Sequence, residues 1–282
     1  MSETALAMTV AFAVAGKLAF CAWIVSVARR DASIVDSVWS LMIFAAVIVY
    51  ALFTTGGPRL VWLLVLVGLW AARLCAHITW RNHGQPEDRR YQAIRARNQP
   101  LYTLKSLYLV FGLQAVLAWI VALPVMASVS SPEPLSALDA LGAAIVVFGL
   151  VFEAVADVQL ARFRASLLSV GQVMNSGLWR YSRHPNYFGE CCVWWGFWLI
   201  ALASGVPWTV ISPLLMTWLL LKITGVTLLE QGMAARRPAY AEYARRTNAF
   251  IPGRRRIQSA LAVQSEDRVP TAATDLCGQG KP

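Results

Sequence analysis

Gly177-Leu178-Trp179-Arg180-Tyr181-Ser182-Arg183-His184-Pro185-Asn186-Tyr187-Phe188-Gly189-Glu190 decides how this chain is read. Two arginines, a histidine, an asparagine, two tyrosines and a glutamate stand here between strongly apolar segments. Each of these groups costs free energy in hydrocarbon unless it is partnered. A segment that only had to span would not hold so many. The stretch reads as the edge of a ligand site at a membrane face.

The flanking composition supplies the membrane. Hydrophobic residues make up 57% of the 282 and charged residues only 14%, where soluble domains average roughly a quarter charged. A hydrocarbon core ~30 Å thick needs about 20 apolar residues per helix. Seven runs approach that length: 5–28, 38–54, 60–79, 104–126, 138–156, 191–205 and 207–228. Backbone in lipid must satisfy its own hydrogen bonds, so the runs are helices. The expectation is an all-α, polytopic membrane protein with about seven transmembrane helices over residues 1–257, then a disordered cytoplasmic tail over 258–282.

Charge gives the orientation. Of the 25 basic residues, 21 fall on one side of these spans, Arg59 alone on the other, and Lys17, Arg73 and Lys222 within them. The positive-inside rule places the basic side in the cytoplasm, the N-terminus outside and the C-terminus inside, in a bacterial inner membrane. Basic loops against an anionic leaflet account for the net charge of +10, so no nucleic acid is expected as a partner. The outer loop Ser128–Ala137 reads as an exposed connector. The five cysteines form no Cys-x-x-Cys pair, and His77 and His83 do not share a helix face. No metal site is expected.

Polar residues then gather by helix face. Arg73, His77 and Arg81 repeat at i, i+4 and i+8; Glu153, Asp157 and Arg164 fall at i, i+4 and i+11. Carboxylates cannot snorkel far, so Glu153 and Asp157 point to a polar cavity open at the basic end. Asp36 and Trp39 open the second span. In the segment 80–103, Gln85-Pro86 marks a turn and Glu87-Asp88 starts a short helix carrying Tyr91. Tyr240, Tyr243 and Thr247 share one face of another short helix, near Arg245 and Arg246. Arginine forks suit phosphate and tyrosines offer a ring and a donor. No Gly-x-Gly-x-x-Gly or Gly-x-x-x-x-Gly-Lys occurs, so a nucleotide would need a membrane-embedded site.

The 177–190 block resembles the signature of a bacterial uncharacterised membrane family related to steroid 5-alpha-reductases. Asp157-Val158-Gln159, Phe163-Arg164, Tyr240-Ala241-Glu242-Tyr243 and Phe250-Ile251-Pro252 extend the likeness. Arg73, Arg81-Asn82 and Glu87-Asp88-Arg89-Arg90-Tyr91 carry it upstream, over most of residues 30–255. The resemblance implies a seven-helix, steroid-reductase-like fold with NADPH between the later helices. The positions matching Asp157, Arg164, Asn186 and Glu190 belong to the cofactor site; Tyr181, Arg183, His184, Tyr187, Tyr240, Tyr243 and Arg246 join them as candidate contacts. It implies reduction of an enone-type carbon–carbon double bond in a lipidic substrate, with Glu87, Tyr91 and Asp36 the candidates for polarising the carbonyl.

Some positions depart from the reductase pattern. Gly171-Gln172 stand where steroid reductases carry Tyr-Arg, Glu230-Gln231 where they carry histidines, and the second-helix glutamate has no match. Cofactor class is thereby better supported than substrate class. Isoprenylcysteine carboxyl methyltransferases share the core Arg183-His184-Pro185-Asn186-Tyr187-Phe188-Gly189 and use S-adenosylmethionine, which is the alternative enzyme reading. A non-catalytic lipid-binding protein is the third.

Overall fold

A computed structural model describes residues 2–166, 171–223 and 239–255. The tail 258–282, Glu230-Gln231 and Pro238 lie outside the described residues. Nine α-helices are used below: α1 (Glu3–Arg29), α2 (Ile34–Leu52), α3 (Leu60–Asn82), α4 (Arg89–Arg97), α5 (Tyr102–Val129), α6 (Ala137–Ala165), α7 (Pro185–Ala203), α8 (Ile211–Trp218) and α9 (Ala239–Arg246). Among the described residues there is no strand, only an isolated bridge between Ser182 and Asn248.

The protein is an all-α membrane protein. Five helices, α1, α2, α3, α5 and α6, are long and apolar enough to cross a bilayer. The sixth apolar run lies in α7 as far as Ala203, and the helix starts six residues earlier than 191 because Pro185 takes the first helical position, where its missing N–H is not needed. The second half of the signature is therefore helix, not connector. The seventh run opens as a 3-10 turn, Pro207–Val210, continues as α8 and passes into a π-helical stretch, Leu219–Ile223.

Small residues set how closely the helices approach. α1 buries Ala7, Ala11, Ala15, Ala19, Ala22 and Ser26, a nearly regular four-residue stripe against α2. Trp119 of α5 donates its indole N–H to the Met8 carbonyl at 3.2 Å, tying α5 to α1. At the end of the bundle away from the basic segments, Arg59 is fully buried. Its guanidinium meets Asp139 at 2.6 and 2.8 Å and the carbonyls of Glu133 and Pro134 at 2.6 and 3.0 Å. These four acceptors offset much of the desolvation of a buried cation. The 128–137 connector is exposed along most of its length, as its composition predicts, yet Arg59 pins its base.

The tightest approach is α6 on α7. A Cβ added to Gly149 would meet the Gly189 carbonyl oxygen at 2.6 Å, and one on Gly196 the Gly142 carbonyl oxygen at 2.8 Å. Gly142 and Gly149 on α6 thus interleave with Gly189 and Gly196 on α7. Glu153 and Asp157 follow Gly149 on the same α6 face, one and two turns on, so this contact carries them onto the signature.

Gly149→Val is expected to cost about 1–3 kcal/mol through overpacking, read as a lower melting temperature of the detergent-purified protein. Gly16→Ala, where an added Cβ meets nothing within 4 Å, is the control and does not lower it.

Candidate functional site

Four helices converge on one buried polar cluster. Arg73 of α3 pairs with Glu153 at 2.5 Å and with Asp157 at 2.9 Å, both on α6. His77, one turn after Arg73, brings Nε2 to 3.5 Å from the same Asp157 oxygen. Asn186 of α7 donates its amide to the other Asp157 oxygen at 3.1 Å. Glu190, one turn further along α7, accepts indole N–H bonds from Trp70 at 2.9 Å and Trp194 at 3.0 Å, one on each oxygen. Trp70 and Trp194 meet edge to face at 5.0 Å, and Trp39 of α2 meets Trp70 at 6.4 Å. Glu153, Asp157 and Glu190 are at most 6% exposed. In this cluster four buried polar atoms lack a hydrogen-bond partner among the described residues: Glu153 Oε2, Trp39 Nε1, and Nε and Nη2 of Arg73, the last ion-paired with Glu153.

The remaining signature residues build a clasp around α9. Tyr243 donates its hydroxyl to the Trp179 carbonyl at 2.6 Å, with Tyr240 packed against its ring at 5.8 Å. Arg183 places its guanidinium 2.5 Å from the Ala244 carbonyl, a cation at the carbonyl end of a helix. Ser182 Oγ donates to Phe250 O at 2.7 Å, and the Gly253 N–H donates to the Tyr181 carbonyl at 3.1 Å. Gly177 adopts φ of +58°, a conformation that favours glycine, beside the Gln159 side chain. His184 is buried and stacks on Tyr187 at 5.5 Å, the rings 5° from parallel.

The predicted cofactor residues therefore divide. Asp157, Asn186 and Glu190 belong to the cluster, and Tyr187 adjoins it. Arg183, Tyr240 and Tyr243 hold the clasp, with Tyr181 joining through its backbone. Arg164 is exposed, within electrostatic reach of His77, and Arg246 pairs with Glu242 on its own helix at 2.6 Å.

The candidates Glu87, Tyr91 and Asp36 lie together in a second cluster that folds the α3–α4 connection onto the α1–α2 turn. Glu87 accepts from the Ala32 N–H at 2.8 Å and from Arg95 at 2.7 and 2.9 Å. Asp36 accepts the Tyr91 hydroxyl at 2.6 Å and Arg90 at 2.7 Å. Asp88 caps α4, accepting the Arg90 N–H at 2.9 Å. Burial pushes the Asp88 carboxyl up, but the hydrogen bonds and charge of Arg90 outweigh it and hold the group below its usual range. Burial, and then the Asp36 carboxylate, push the Tyr91 hydroxyl well above its ordinary value, so it remains a donor at neutral pH.

Against known proteins, residues 22–247 match the family model described as a protein of unknown function, DUF1295. The chain belongs to the DUF1295 family. An uncharacterized protein of Schizosaccharomyces pombe, C594.04c, is 27% identical over 263 residues, covering 82% of this chain and 75% of the yeast protein. No solved structure matches. The matched DUF1295 region contains both clusters and most of the clasp.

Reading faces and motifs finds the carboxylates but misses the donors that hold them. Trp70 and Trp194 are absent from the sequence-derived site because tryptophan in an apolar helix reads as filling or as an interface anchor. The available signal was spacing: Trp70 precedes Arg73 by three residues and Trp194 follows Glu190 by four, so each lies on the face of a charged neighbour.

The second cluster makes an acid-labile joint. With the folded-state Asp88 value depressed, its stabilisation is present above the unfolded value of about 3.9 and is lost as pH falls through the lower folded one. A spin label at Ala93 of α4 is expected to gain mobility over that acid window, and Asp88→Asn to show part of that mobility already at neutral pH.

Proposed function

We propose that this protein is an NADPH-dependent reductase of a conjugated carbon–carbon double bond in a lipidic substrate, set in the bacterial inner membrane with its basic end in the cytoplasm. The observation that carries the reading is the meeting of Asp157, Asn186 and Glu190 around Arg73, where three of the four positions that the steroid-reductase likeness assigns to the cofactor converge from α6 and α7.

The residues present fit such a cofactor. Glu153 Oε2, Trp39 Nε1 and Arg73 Nε are buried without a hydrogen-bond partner among the described residues and offer one acceptor and two donors to a ligand. Carboxylates suit ribose hydroxyls and amides, while the exposed Arg81, Arg162, Arg164 and Arg180 near the same end suit phosphates. NADPH, when bound, would supply the hydride. Asp157, Asn186 and Glu190 would orient it, and the apolar packing of α6 and α7 would keep water out. Tyr91 donates its hydroxyl hydrogen bond to Asp36 in a closed pair.

Titrating the purified protein in lipid discs with NADPH and with S-adenosylmethionine separates the two enzyme classes. NADPH binding is expected. Asn186→Ala and Glu190→Ala are expected to weaken it about 10- to 100-fold, the range for losing a hydrogen bond to a charged group, with the bundle intact by melting. Saturable binding of the methyl donor without response to NADPH would assign the site to methyl transfer; binding of neither would leave the lipid-binding reading.

A further inference from the structure

We propose that the segment 249–255 docks on an anionic phospholipid surface, the leaflet at the basic end of the bundle, and that this contact holds the clasp shut beside the buried carboxylates. It goes beyond the reductase reading and stands whichever cofactor the site takes.

The depth of the segment follows from a row of four phenylalanines. Phe148, in the apolar part of α6, is 50% exposed and so faces lipid. Its ring meets Phe152 at 5.3 Å, one turn nearer the basic end. Phe152 meets Phe188 of α7 at 5.6 Å, and Phe188 meets Phe250 at 6.0 Å. These contacts carry an apolar surface from the side of the bundle to the clasp. Ile251, the next residue, is 67% exposed, and Tyr181, whose carbonyl accepts the Gly253 N–H, is 46% exposed. An aliphatic side chain standing this far out, at the end of a lipid-facing row, gains free energy at the bilayer boundary that it loses in water.

Charge selects the kind of surface. Arg254 is exposed and Arg255 half-buried just after Ile251, and Arg256 continues the run in sequence. Arg180 and Arg245 stand exposed on the neighbouring segments. Glu242, the acidic residue of α9, is paired with Arg246, and Arg183 is turned onto the Ala244 carbonyl. The outward charge is therefore positive. A leaflet with negative headgroups answers both features at once: its acyl boundary takes the isoleucine, and its phosphates take the guanidinium forks. An acidic protein would answer the charge but not the continuity with the lipid-facing side of α6.

The docked segment is tied to the site by short bonds. Ser182 holds the Phe250 carbonyl, and Trp179 donates its indole N–H to the Ala156 carbonyl at 3.0 Å, immediately before Asp157. Phe188, on which Phe250 rests, lies between Asn186 and Glu190 on α7. Seating the segment thus braces α6 and α7 where they carry the cluster.

Amide exchange read by mass spectrometry tests this on the full chain, in discs of phosphatidylcholine alone or mixed with phosphatidylglycerol. Exchange over 249–255 and 177–183 is expected to slow about tenfold or more with the anionic lipid, since each arginine near such a surface is worth about fivefold. The membrane-buried parts of α6 and α7 are expected to change little. Ile251→Asp is expected to speed exchange of the segment about tenfold or more in both discs. Arg254→Gln combined with Arg255→Gln is expected to remove the difference between the discs. Both changes lie at the surface, and an unchanged melting temperature shows that the bundle is intact. Equal exchange of the wild type in the two discs overturns the inference. So does a difference that survives in the double arginine variant, or one spread evenly over the whole bundle. Equal slowing by inorganic phosphate in phosphatidylcholine discs would assign the arginines to a free anion and overturn it as well.

Discussion

Close contact between α6 and α7 is the constraint on which everything else here depends. Two glycines on each helix bring backbone against backbone, at a separation no side chain would allow. The helices then continue in register, so that Glu153 and Asp157 leave the glycine face of α6 directly opposite Asn186 and Glu190 on α7. In a bilayer there is little hydrophobic force between helices, and van der Waals contact at small residues does much of the holding. The same contact that holds the pair together also delivers the carboxylates to one place.

Concentrating three carboxylates in an apolar bundle is expensive, and the cluster shows how that cost is met. Arg73 reaches two of them; two indole N–H groups take the third. Indole is a suitable donor at this depth because it adds no charge of its own and buries a large apolar surface around the bond it makes. Each oxygen of Glu190 and of Asp157 thus meets a donor of the chain itself, which fixes how the two helices present them.

Much of this is legible in the residues before any coordinates. Apolar run lengths give an all-α membrane protein; the i, i+4 repeats of Arg73 with His77 and of Glu153 with Asp157 give two faces that do meet; Asp88 opens α4 as its position after Gln85-Pro86 implies. The rest depends on which helix lies beside which. Arg183 looks like a phosphate ligand in sequence, and in space it meets helix carbonyls. Glu87 and Tyr91 look like reacting groups, and they are bonded into the joint that holds α4. A charged residue in a motif states that a partner is needed, not which partner, and only the packing of distant segments decides between a ligand and the chain's own backbone. The boundary of α7 was missed for a local reason, since polar residues at the head of a helix look like a loop when only hydropathy is followed.

The clasp on α9 has a consequence for how the protein is made. The signature at 177–190 is complete in sequence long before Tyr243, Phe250 and Gly253 have been synthesised, yet Trp179, Ser182 and Tyr181 have their backbone partners there. During translation the earlier helices can enter the lipid and pair while this stretch still waits, its carbonyls hydrated at the membrane surface. A chain that ended before Tyr243 would leave those backbone groups of 177–190 without these partners, while the contacts among Arg73, Glu153, Asp157, Asn186 and Glu190, all made upstream, would stand.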